Sequence, residues 1–300
     1  MKRTLIVIYV FVLSLAVSAQ ERPTSANNGQ EWGTGVKQVQ AGQAATVDVG
    51  GSGSATMYLF GPATAAKRKV QLPQVELSAE ELSAAGEYTL IVNGETTKLV
   101  VSAGPISDLA FLARPSRVPA AVKGVINGSA FLLDKNQNLV RTPQTVTFEL
   151  QEPGGATDTR SSTSKNGVAW ARMNSGKKSG AAQFVASSEG ASVRRVVQQV
   201  AADPCTIRMH AALAEPDAHN VSNSTRLILE TDPIRDCSGN ALPDGTIVTF
   251  TAGGEHGRST VDARIKRGIA HAELPAEAGE RLSVAAGVVV GNEIVWGGGQ

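Results

Sequence analysis

The sequence predicts an all-β chain of tandem sandwich domains behind a cleaved signal peptide, and three observations predict it. Short stretches in which apolar and polar residues alternate, such as TVTFEL, GVAWARM and AQFVASS, are separated by Gly, Pro, Asn and Asp, with no amphipathic helix of any length between them. One arrangement is written twice: DKNQNLVRTPQTVTF at 134–148 returns as DCSGNALPDGTIVTF at 236–250. Finally, Lys2 and Arg3 precede an apolar run from Leu5 to Val17 that closes on Val17-Ser18-Ala19, the layout of a secretory leader.

The leader is assigned to residues 1–19, with cleavage expected after Ala19. Its apolar run falls short of the roughly 20 residues needed to cross a bilayer, so it reads as a signal rather than an anchor. No later segment is apolar for long enough to span, and the protein is expected to be secreted, periplasmic or at the cell surface, not membrane-spanning. A flexible segment is expected over 20–29, then a divergent sandwich over 30–103. In that region GEYTLIV (86–92) alternates well, and Gly86-Glu87-Tyr88 is placed like the corner at which a Tyr hydroxyl bonds back to the upstream backbone. Just before it, Ser78-x-x-Glu81 reads as a capping box for one helical turn.

The duplicated arrangement sets the next two domains, 104–202 and 203–300. It pairs Asp134 with Asp236, Asn138 with Asn240, Val140 with Leu242, and Val146-Thr147-Phe148 with Val248-Thr249-Phe250; NGVAWARM (166–173) then falls on RGIAHAEL (267–274). A period near 100 residues denotes two copies of a domain, far above the spacing of solenoid repeats. Alternation places Val146, Phe148 and Leu150 on one face, and Val248 and Phe250 on its copy. In GVAWARM the core takes Ala169, Ala171 and Met173, matched by Ala270, Ala272 and Leu274, while Val168, Trp170 and Arg172 point outward. The joints, SAGPI (102–106) and AADP (201–204), are short and carry one Pro each, which restricts the angle between neighbours and suggests a semi-rigid rod.

An acidic residue, a polar turn, Asn, a short apolar segment and V-T-F, followed some 20 residues later by NGVAWARM or RGIAHAEL, resembles the bacterial immunoglobulin-like domain found in tandem in intimins and invasins. The resemblance covers roughly 105–200 and 204–298 and implies immunoglobulin-like sandwiches. The expected role is that of an exported, non-catalytic spacer or scaffold at the cell envelope. The alternative is an adhesin or a glycan- or protein-binding module that uses exposed loops or Trp170 with Arg172.

The chemistry-bearing residues are few. Twenty-eight Lys and Arg against 27 Asp and Glu leave no long-range field for nucleic acid, and Lys67-Arg68-Lys69 and Arg264, Lys266 and Arg267 read as solvated faces. The expected partner is an envelope or extracellular protein or glycan. Cys205 and Cys237 are the sole cysteines, and an isolated pair in an exported protein reads as a disulfide. Cys205 is expected to open the first strand of the last domain, with Cys237 in the loop after the second strand at the same pole. His210, His219, His256 and His271 form no HxxxH or HxH pattern, and no cofactor is assigned. Asp134, Asn136 and Asn138 at one joint, and Asp203, Asp232, Asp236 and Asn240 at the other, offer oxygens for calcium or for tight turns; the turn reading is adopted and no metal ligand assigned. No GxSxG, HExxH, SxxK or paired-carboxylate motif occurs, and closeness of Ser259, His256 and Asp262 along a hairpin is not triad geometry, so no enzyme is expected.

Overall fold

The computed structural model describes residues 37–214, 225–255 and 257–297. The leader, the segment 20–29, the opening of the first domain, His219 and His256 lie outside these residues. Among the described residues every regular element is a β-strand, and the strands gather around three separate hydrophobic cores. The all-β expectation is met. We call the strands around one core a module.

The first module consists of β1 (Lys37–Gln40), β2 (Ala45–Phe60), β3 (Ala65–Leu77), β4 (Gly86–Val92) and β5 (Glu95–Ser102). They form one hydrogen-bonded sheet in the order β1-β5-β4-β2-β3, with β1 parallel to β5. A sandwich over this region implies two separate sheets. The difference lies in the β2–β3 hairpin, whose register slips between Asp48 and Gly53, where Gly50, Gly51 and Gly53 take positive φ that a side chain would resist. Val47 and Val75 before the bulge and Met57, Leu59 and Val70 beyond it enter the same core, so one bent hairpin supplies what two sheets supply elsewhere.

Tyr88 is fully buried, its hydroxyl donating to the Ala84 carbonyl at 2.9 Å, and its ring occupies the space a side chain at position 61 would need, since a Cβ on Gly61 would come within 2.1 Å of it. The capping box forms reciprocally: the Ser78 N–H donates to Glu81 Oε2 (2.8 Å) and the Glu81 N–H to Ser78 Oγ (3.1 Å). It closes a single turn, with the Leu82 N–H reaching the Ser78 carbonyl at 3.2 Å, and no helix follows. Leu82 is drawn completely into the core, and the chain leaves immediately for the Tyr88 corner.

The second module places β6 (Asp108–Arg114), β8 (Ile126–Leu133) and β11 (Val168–Met173) in one antiparallel sheet. Facing it are β10 (Thr157–Thr163), β9 (Thr145–Gln151), β12 (Gly180–Ser188), β13 (Ala191–Val200) and β7 (Arg117–Pro119), in that order. Alternation works as the sequence implies: Val146, Phe148, Leu150, Ala169 and Met173 are essentially inaccessible, and Ala171 nearly so. Phe111 and Phe184 meet edge-on with ring centroids 5.0 Å apart, and Phe148 completes the cluster.

The third module repeats the plan. One sheet holds β15 (Met209–Leu213), β16 (Thr225–Thr231) and β20 (His271–Ala276); the other holds β19 (Gly257–Arg264), β18 (Ile247–Gly254), β21 (Arg281–Ala286) and β22 (Val289–Val295). Val248 and Phe250 are fully buried, as are Ala270 and, nearly, Leu274. Cys205 lies in the first strand after the second joint, ahead of β15. It sits in β14 (Pro204–Thr206), which pairs antiparallel with β17 (Arg235–Asp236), because the linker before it is held on the β17 loop.

Candidate functional site

The repeated Asp-x-x-x-Asn segment builds the same structure at both joints. Asp134, fully buried, follows β8; its Oδ1 accepts the N–H groups of Asn136 (2.8 Å) and Asn138 (2.9 Å), folding the loop back on itself. Its Oδ2 accepts the N–H of Gly104 in the linker (2.8 Å) and Asn138 Nδ2 (3.0 Å). The carboxylate therefore orients the Asn138 carboxamide, which crosses to the first module. There Asn138 Nδ2 donates to the Ser83 carbonyl and Asn138 Oδ1 accepts the Ala85 N–H, both at 2.8 Å.

At the second joint Asp236 Oδ1 accepts the N–H groups of Ser238 and Asn240, both at 2.9 Å, while Oδ2 accepts Ala202 N–H (3.0 Å) and Asn240 Nδ2 (2.8 Å). Asn240 then reaches the second module, donating to the Lys177 carbonyl (2.7 Å) and accepting the Ser179 N–H (2.8 Å). Each carboxamide thus pairs with a C=O and an N–H two residues apart, as a neighbouring strand would. Both corners lie immediately before the glycine that opens the following strand, Gly86 in β4 and Gly180 in β12.

Electrostatics follow from the donors. Burial pushes the Asp134 carboxyl up, but the N–H of Gly104, the carboxamide of Asn138 and the loop amides favour the anion more strongly and hold it below the usual carboxylate range. Asp236 behaves alike, burial being outweighed by Asn240, Ala202 and Ser238. Their oxygens already face N–H donors, and among the described residues no group of three metal-ligating side chains converges. Asp232 Oδ1 is instead 2.9 Å from His210 Nε2 on the exposed outer surface of the third module.

Cys205 and Cys237 are joined, with Cα atoms 4.6 Å apart, and Cys237 directly follows Asp236. The bond lies beside the second clasp, tying β14 to the same loop. Trp170 is 67% exposed on β11, as its outward register implies. Across the sheet it lies in one row with Ser129 and Leu112, the latter 52% exposed, while Arg172, Asn127 and Arg114 form the next row, with Arg172 Nε donating to Asn127 Oδ1 at 3.3 Å. Sequence reasoning singled out Trp170 and Arg172 but not Leu112 and Arg114, which only the register of β6 brings beside them.

The chain matches no protein-family model and no curated protein. Among solved structures it is similar to the adhesin FdeC of Escherichia coli, at 17% identity and a TM-score of 0.51, covering 83% of this chain and 88% of that one. It is also similar to invasin, a bacterial integrin-binding protein, at 14% identity and a TM-score of 0.50, covering 87% of this chain and 58% of invasin. These likenesses are of fold: tandem bacterial immunoglobulin-like domains of the intimin and invasin type.

Proposed function

We propose that the protein is an exported, non-catalytic spacer of the cell envelope whose immunoglobulin-like modules are held against one another by the Asp–Asn clasps. The observation that carries this reading is the clasp itself, built twice from equivalent residues and directed each time at the preceding module. A buried carboxylate with four donors orients each bridging carboxamide, so the joint is fixed rather than merely tethered. The adhesin and integrin-binding character of the two structural neighbours supports an extracellular setting.

A second reading rests on the exposed Trp170 and Leu112 beside Arg114 and Arg172. Aromatic and Arg side chains on one open sheet face are the residues that dominate protein recognition, and they favour an adhesin-type binding surface on the second module. Cell-adherence assays distinguish the two. A spacer loses function in Asn138→Ala with Asn240→Ala and tolerates Trp170→Ala; a binding module acting through this face shows the reverse.

A further inference from the structure

The outer face of the first module combines aromatic rings with cations. In β2 the residues Ala55, Met57 and Leu59 enter the core, so Thr56, Tyr58 and Phe60 face outward, with Tyr58 37% and Phe60 48% exposed. The register sets Lys67 opposite Tyr58 and Lys69 opposite Thr56 on β3, Ile91 opposite Tyr58 and Thr89 opposite Phe60 on β4, and Lys98 opposite Thr89 on β5. Lys67 Nζ lies 5.3 Å from the centre of the Tyr58 ring. With a rise of about 3.3 Å per residue and strands about 4.8 Å apart, the two aromatic positions are about 7 Å from each other and each lysine position lies within roughly 10 Å of one of them.

Charge on this face is unbalanced. The outward positions of segments 54–60, 65–71, 87–91 and 96–100 carry Lys67, Lys69 and Lys98 against one carboxylate, Glu87, which lines the groove at the first joint together with Arg141. Among the described residues no salt bridge engages any of the three lysines. An acidic peptide would answer the cations and leave the rings wet; a neutral sugar would cover a ring and leave the cations unpaired. A sugar ring bearing a carboxylate answers both, laying its C–H face on Phe60, its acid group among the ammonium groups and its hydroxyls within reach of the Tyr58 hydroxyl. We propose that this face binds an anionic polysaccharide built of uronic acid residues.

The test is calorimetric titration of the full chain with polygalacturonate and alginate, with dextran and polyglutamate as comparisons. Saturable binding of a polyuronate is expected, weakening as salt screens the lysines. It should fall at least about tenfold in Phe60→Ala, and by a similar factor in Lys67→Glu with Lys98→Glu, a change of about 1.4 kcal/mol in each case. Trp170→Ala should leave it unchanged, which separates this face from the one on the second module. Equal affinity for polyglutamate with Phe60→Ala silent would reduce the site to bare charge and overturn the proposal. So would equal affinity for dextran, or no heat with either polyuronate from a chain whose melting is normal.

Discussion

Asn138 makes its cross-joint contacts to main-chain atoms, and the consequences of replacing it follow from that. Asn138→Asp would put an oxygen where Nδ2 now lies 3.0 Å from Asp134 Oδ2 and would face the Ser83 carbonyl with an acceptor. The joint should weaken at neutral pH by on the order of 3 kcal/mol and recover partly in acid, as the two carboxylates come to share a proton. Hydrogen exchange at the Ala85 amide reports this directly. In the unmodified protein Asp134 and Asp236 are held below the ordinary aspartate value of 3.8, so their contribution to stability is complete above that value and is lost as pH falls through the lower folded one. Both joints should therefore stay closed through the neutral and mildly acidic range and open only below 3.8, which exchange measured against pH would show. The sequence made the Asp–Asn spacing visible, and its reading as a tight turn describes half of what it does, since Asp134 does fold its own loop. The other half was hidden because the partners across the joint are the Ser83 carbonyl and the Ala85 N–H, atoms that every residue carries.

At the scale of the element, the bond between Cys205 and Cys237 ties β14 to β17 across a sequence separation of 32. In the chain-entropy account, closing such a loop stabilises by about 3 to 4 kcal/mol. Reduction, or Cys205→Ser with Cys237→Ser, should lower the melting of the third module by roughly 10 °C or more and leave the other two nearly unchanged in calorimetry. Two free thiols in the protein isolated without reductant, found by mass spectrometry, would remove the bond from the account. In β8, a Cβ on Gly128 would lie 2.6 Å from Phe184 and 3.0 Å from Phe111, so Gly128→Ala should overpack the aromatic cluster and destabilise the second module by about 1 to 3 kcal/mol in denaturant unfolding. Strand alternation made the core residues of the two copies legible, because period two assigns a face without knowledge of pairing. The single bent sheet of the first module was not legible: it depends on where β2 slips against β3, and a glycine run marks the place of a bulge without saying which strands it joins.

Across the whole molecule, the linkers are part of the fold rather than gaps in it. Gly104 and Ala202 each donate an amide to the buried carboxylate of the module they lead into, which withholds the extended main chain a protease requires. Limited proteolysis should spare 102–106 and 201–204 in the unmodified protein and cut there in Asp134→Ala or Asp236→Ala, with electrophoresis and mass spectrometry identifying the new ends. Cleavage of both forms at equal rates would show that the carboxylates do not secure the linkers.

Because each bridging carboxamide reads only a carbonyl and an amide, the corner that receives it is free to vary: Ser83 and Ala85 serve at one joint, Lys177 and Ser179 at the other. The connector is thus indifferent to the identity of the residues it grips, and it travels with the downstream copy. A duplicated gene segment carrying Asp and Asn four positions apart would bring its own coupling with it and need no matched substitution upstream. Interchangeability of this kind lets a chain lengthen by repetition while each copy drifts, and it marks the Asn as the residue to transplant when unrelated sandwiches are to be joined in series.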